Sequence, residues 1–168
     1  MNHLAVYTNV ILGLLLLASY YYFGYENKDT VDKLWGNIKG NYKNFTIVTI
    51  IITTILYLFT FYYIGFKSDK LDQNIIKNIV LHQAILILAS ILWMPLSIKY
   101  LNKKEELTKV AIILILFVVA MCALAIFYNI FKLNDKGKFK NLALLGAGVL
   151  FFQTFILDFL NWNYNFFE

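Results

Sequence analysis

Apolar residues run almost unbroken through five stretches, at about residues 4 to 25, 44 to 66, 75 to 98, 107 to 131 and 142 to 162, with lysine-bearing polar segments between them. At about 1.5 Å of rise per residue, each stretch wound as a helix crosses a hydrocarbon layer of about 30 Å. Leucine, isoleucine and valine follow one another without the period-two alternation of barrel strands, so the pattern predicts helices and excludes a membrane barrel. A water-soluble bundle is disfavoured, because all five helices would have to be apolar all round. The expected fold is all-α, a polytopic transmembrane bundle of five helices forming one domain over residues 1–168, an integral multi-pass membrane protein.

Composition narrows this further. With 60% hydrophobic, 18% aromatic and 15% charged residues, little material remains for a water-soluble second domain. Only Met1, Asn2 and His3 precede the first stretch, no lysine leads it, and Tyr20, Tyr21 and Tyr22 follow where a cleavage site would need small residues, so it reads as a retained span. The lone Cys122, among Ala120, Ala123 and Ala125, reads as a small packing residue that makes no internal disulfide.

The net charge of +5 comes from lysines alone, with no arginine to offer the bidentate fork used by many nucleic-acid readers. Lysines flanking membrane spans account for it better, with the lipid bilayer as the first partner. They do not orient the chain: Lys67, Lys70, Lys77, Lys132, Lys136, Lys138 and Lys140 fall on one side, against Lys28, Lys33, Lys39, Lys43, Lys99, Lys103, Lys104 and Lys109 on the other.

The connection from about Glu26 to Lys43 is the longest and holds Trp35 between charged residues; the other three, near ten residues each, read as simple connectors. Trp35 in such a segment serves as an interfacial anchor or as part of a lid over the bundle mouth. In the second span Thr46, Thr49, Thr53, Tyr57 and Thr60 recur at three- and four-residue intervals, a stripe that should face protein and most simply packs there. Tyr57 is its best candidate for a ligand contact. In the third span His82, Leu86, Ala89 and Trp93 share a face, and Pro95 is expected to kink the helix or end its regular part. His82, with no paired histidine, fits a hydrogen bond near the headgroups better than a metal or haem site. The last span opens on Ala143, Gly146, Ala147 and Gly148, which let backbones approach closely, and continues to Gln153 and Asp158. Asp158 lines a cavity, bonds a neighbouring helix or reaches the headgroups.

Several local motifs resemble the translocator protein or tryptophan-rich sensory protein family. Thr54, Ile55, Leu56 and Tyr57 are similar to its T-x-L-Y pattern, and the run from Ser90 through Trp93 and Pro95 to Leu96 is similar to its N-x-x-W-x-P-L segment, with Ser90 for the asparagine. Leu160 and Asn161 resemble an L-N pair in the last helix. The family's tryptophan before T-x-L-Y is replaced by Thr53, the proline-rich first loop is reduced to Trp35, and Gln153 stands near another expected tryptophan. The resemblance implies a cavity among the helices, beneath the first loop, that binds porphyrins, sterols or other planar apolar ligands, with Tyr57 and Trp93 on its walls and Trp35 in its lid.

Two functional classes follow. One is a membrane protein holding a hydrophobic small molecule, a porphyrin or sterol, at Trp35, Tyr57, His82, Trp93, Gln153 and Asp158, for transport or sensing. The other is a non-catalytic accessory or structural subunit whose aromatic and small residues fill contacts within a homodimer or larger membrane complex. Neither paired carboxylates nor an activated nucleophile stands out, so no catalytic residue is assigned, and no metal site or obligatory cofactor is expected.

Overall fold

The computed structural model describes residues 1–167, and they are helical nearly throughout. Helix α1 spans His3–Glu26 and is capped by Asn2, whose side chain accepts from the Ala5 amide at 3.0 Å. A short helix α2, Lys28–Val31, and a 3₁₀ turn, Asp32–Trp35, follow. Helix α3 covers Gly40–Phe66, α4 Gln73–Lys103 and α5 Glu106–Lys132. The last span is composite, with α6 over Lys138–Phe152, a π-helical stretch over Gln153–Trp162, and α7 over Asn163–Phe167. Five helical runs, the last counted from Lys138 to Phe167, are long and apolar enough to cross a membrane.

Two expectations are corrected, and of the two alternatives at Pro95 one is excluded. The connectors read as near ten residues shrink to residues 67–72, 104–105 and 133–137, because the helices continue beyond their apolar cores into the polar ends. Much of the long first connection is itself wound, and Gly40 to Lys43 already belong to α3. Pro95 does not end its helix, which runs on to Lys103. Proline leaves the carbonyl four residues earlier without its amide. That carbonyl, on Ile91, accepts from the Ser19 hydroxyl of α1 at 3.3 Å, and Tyr20 donates to the neighbouring Ser90 carbonyl at 3.1 Å. The first helix supplies what the third lacks.

The five runs close into a ring whose order differs from chain order. Helix α4 packs between α1 and α5, and α3 packs between α1 and the composite last span, which in turn lies against α5. Gly146 sets the closest approach: a Cβ there would stand 2.4 Å from the Leu56 carbonyl oxygen and 2.7 Å from the Thr60 hydroxyl. That hydroxyl donates to the Ala143 carbonyl at 3.1 Å, joining α3 to α6. The small-residue run at the start of the last span thus packs as its composition requires.

Interior side chains form two clusters. One, around Ala5, Ile64, Ile76, Ile126, Ala143 and Ala147, fills the end that holds the N-terminus. The other brings Leu34 and Ile38 of the first connection against Met94, Ile98, Ile112, Trp162 and Phe166 at the opposite end. Leucines, isoleucines and aromatic residues cover the outward faces, Leu14, Leu17, Leu58, Leu92, Leu114 and Leu145 among them, which suits a hydrocarbon surround rather than water.

Candidate functional site

Between the two clusters, beneath the first connection, lies a cavity of about 390 Å³. Its roof is Val31, Leu34 and Trp35; Thr46, Ile50, Thr53 and Thr54 face it from α3, Leu86, Ser90 and Trp93 from α4, and Leu116 and Val119 from α5. The last span contributes Gln153, Thr154, Leu157, Asp158 and Trp162, and α1 contributes Tyr20. All three tryptophans of the chain therefore stand on this one surface.

The roof is fastened by backbone groups. Trp162 donates its indole N–H to the Leu34 carbonyl at 2.7 Å, and the Asn37 amide donates to the Asn165 carbonyl at 2.9 Å. Gly36 sits between these two bonds with φ near 53°, and a Cβ there would meet the Asn165 carbonyl oxygen at 2.3 Å. Only glycine serves this position, for both backbone conformation and contact. Phe166 stacks on Trp162 at 4.1 Å, Trp162 meets Trp93 edge-on at 5.2 Å, and Tyr20 lies tilted to Trp93 at 5.9 Å. Lys43 reaches over Trp35, 5.1 Å from its ring, and lies 3.4 Å from Asp32.

The π-helical stretch makes the polar part of the wall. In an α-helix, residues five apart lie about 140° apart around the axis, from about 100° per residue. The i→i+5 bonding of a π-helix instead brings such residues onto one face, a local geometry that recurs at functional sites. Gln153 and Asp158 are related in this way, and the Gln153 amide N–H donates to Asp158 Oδ1 at 2.9 Å.

Hydrogen bonding around the cavity is incomplete. Hydroxyls of Thr46, Thr54, Ser90 and Thr154 return to carbonyls of their own helices. By contrast, Thr53 Oγ1, Trp93 Nε1 and Gln153 Oε1 are buried without a protein partner, three of five such side-chain atoms among the described residues. Buried polar atoms in native structures are normally satisfied, so their gathering on one cavity marks a place for water or a ligand.

Of the residues singled out from sequence, Trp35, Trp93, Gln153 and Asp158 come together here. Tyr57 does not line the cavity. It donates to Asn9 Oδ1 of α1, and Asn9 in turn donates to Gln83 Oε1 of α4 at 3.1 Å, a buried polar contact tying three helices. His82 is also outside the lining, its ring Nδ1 2.6 Å from the Asn78 carbonyl one turn back. Sequence reading passed over Tyr20 and Leu34, and gave Trp162 no role, because what they do depends on the roof folding down and on the π phase. A signal existed in the aromatic density of Tyr20 to Phe23 and Trp162 to Phe167 at one end of the bundle.

A second hollow of about 460 Å³ lies on the outer surface between α5 and α6, bordered by Phe127, Leu144, Leu145, Gly148, Val149 and Phe152, with Asn141 as its one polar member. It lacks the converging polar groups of the inner cavity. No family model matches this chain, and no curated protein and no solved structure matches it either, so its reading rests on its own geometry.

Proposed function

We propose that this chain is an integral membrane protein that binds a planar, largely apolar small molecule in the cavity beneath its first connection, for transport or sensing. The observation that carries the reading is the convergence of three tryptophans with three unsatisfied buried polar atoms on one volume of about 390 Å³. That size lies within the range of small-molecule sites, and an apolar wall with a few directed polar groups is their usual form. Aromatic faces supply contact area, while Trp93 Nε1, Gln153 Oε1 and Thr53 Oγ1 fix orientation. A porphyrin or a sterol is the ligand class implied by the family resemblance. Binding alone accounts for these features, and no chemical step is assigned.

Because every tryptophan lines the cavity, fluorescence excited selectively in tryptophan over the twelve tyrosines is centred on it. Purified protein titrated with a porphyrin, a sterol and a neutral polyaromatic alcohol is expected to show saturable quenching by at least one of them. Leu86→Phe, which fills part of the cavity, should weaken that binding by about tenfold. If no probe saturates, or if quenching is untouched by the filling variant, the accessory-subunit reading replaces this one.

A further inference from the structure

One carboxyl group lines the cavity and no cation does. Asp158 is the only acidic residue among the lining side chains, which include neither lysine nor histidine. Tyr20, the other titratable group there, has its hydroxyl committed to the Ser90 carbonyl. Lys43, at the start of α3, is engaged with Asp32 and the Trp35 ring. A carboxylate in apolar surroundings is costly while it lacks a positive partner, and a partner brought by a ligand removes that cost.

The neighbouring hydrogen-bond groups lean the same way. Asp158 Oδ1 accepts from the Gln153 amide N–H, which leaves the oxygen of that same amide beside the carboxyl, buried and unpartnered. Thr53 Oγ1 on α3 is unpartnered too, whereas Trp93 Nε1 is the one idle group on the wall that can only donate. The Thr53 hydroxyl can donate or accept, so it is the Asp158 carboxylate, an acceptor with Gln153 as its hydrogen-bond partner, that makes this wall richer in acceptors than in donors. A ligand that matches this wall brings N–H donors and a positive charge on an otherwise apolar frame.

We propose that the cavity selects a hydrophobic amine, with its ring system among Trp35, Trp93 and Trp162 and its ammonium group on Asp158 and the Gln153 amide oxygen. This rests on the small-molecule reading above and adds the sign of the ligand's charge. It ranks a cation above a neutral sterol-like molecule, and both above an anionic porphyrin.

The test uses one ring with three head groups. Full-length protein in a non-ionic detergent is titrated with 1-pyrenemethylamine, 1-pyrenemethanol and 1-pyrenecarboxylate, reading energy transfer from tryptophan to pyrene. The ammonium probe should bind about tenfold or more tighter than the alcohol, and the carboxylate weakest. Asp158→Asn should weaken the ammonium probe by about tenfold to a hundredfold, the range for a hydrogen bond to a charged group, and leave the alcohol within about twofold. Equal binding of the alcohol and the ammonium probe by the unaltered protein, tightest binding of the carboxylate, or an equal loss for all three in Asp158→Asn overturns the charge selection while leaving the cavity reading in place. Binding of none of the three overturns the charge selection, and the cavity reading falls with it only if the porphyrin and the sterol also fail to saturate. Since the order of the three probes is measured on the unaltered protein, a variant that fails to fold leaves the proposal decidable.

Discussion

The two ends of this bundle solve the same packing problem in opposite ways. At the end holding the N-terminus, small residues let backbones touch, as where Gly146 meets α3. Ile64, Ile76, Ile126 and Ile130 are fully enclosed there, and most polar groups have partners: Thr60 on the Ala143 carbonyl, Tyr63 on Asp135 at 2.8 Å, and the chain's amino terminus on Asp69 at 2.6 Å, with Gln83 Nε2, outside the cavity, a buried exception. Beneath the first connection, large aromatic side chains meet ring to ring, one helix switches to π geometry, and a cavity with unsatisfied polar atoms remains. Close packing at one end holds the ring together, which frees the other end to keep a void. The void and its unpaired polar groups are the features on which the proposed ligand site rests.

The largest effect is expected where packing is tightest. Gly146→Leu forces α3 and α6 apart and should cost about 3 kcal/mol or more, read as a lower midpoint of detergent-induced unfolding. An unchanged midpoint would remove the close contact on which the comparison rests.

Gly36→Ala comes next and acts at the other end. Its left-handed φ and the Asn165 carbonyl oppose a side chain, for a cost of about 1 to 3 kcal/mol. The expected signature is faster amide exchange over residues 27–39, with α3 and α6 unaffected near Gly146. Equal acceleration at both ends would show that the roof and the tight end unfold as one unit.

A matched pair of threonines compares the ends directly. Thr60→Val removes the cross-helix donor to the Ala143 carbonyl and should cost about 1 kcal/mol. Thr53→Val removes a buried hydroxyl that has no partner and should be neutral or slightly stabilising, within about 0.5 kcal/mol. The reverse order in thermal unfolding would contradict the assignment of satisfied and unsatisfied ends.

The smallest effect is one of pH. Asp135, in the connector before α6, is held below the usual carboxylate range, first by the Gly137 amide at 2.8 Å and then by the Tyr63 hydroxyl. A depressed folded-state pKa contributes stability in full above the unfolded value of about 3.9 and loses it as pH falls through the lower folded value. Asp135→Asn should therefore be less stable than the parent at neutral pH and show a shallower loss of stability below about pH 4. Parallel acid-unfolding curves for the two proteins would argue against this assignment.

Parts of the candidate site were legible before the fold was known, and for uneven reasons. Trp35 stood out as a tryptophan in the longest connection, Trp93 through its motif with Pro95, and Gln153 and Asp158 as polar groups in an apolar run. The last two are visible because an apolar run offers polar groups no partner. Tyr57 was equally conspicuous, yet it spends its hydroxyl on Asn9, a residue on another helix whose position no spacing rule encodes. Pro95 was conspicuous as well, but its consequence depended on Ser19 reaching the Ile91 carbonyl.

By itself the sequence determined the number of long apolar helical runs, their approximate limits and the existence of a small-residue contact at the start of the last one. Run length is set by membrane thickness and backbone hydrogen bonding is satisfied within each helix, so these features are local. Only the tertiary structure decided the order of helices around the ring, the descent of Leu34 onto Trp162, and the π-helical phase that sets Asp158 beside Gln153. Those features depend on which side chains meet across helices, and a cavity is the space that such meetings leave unfilled.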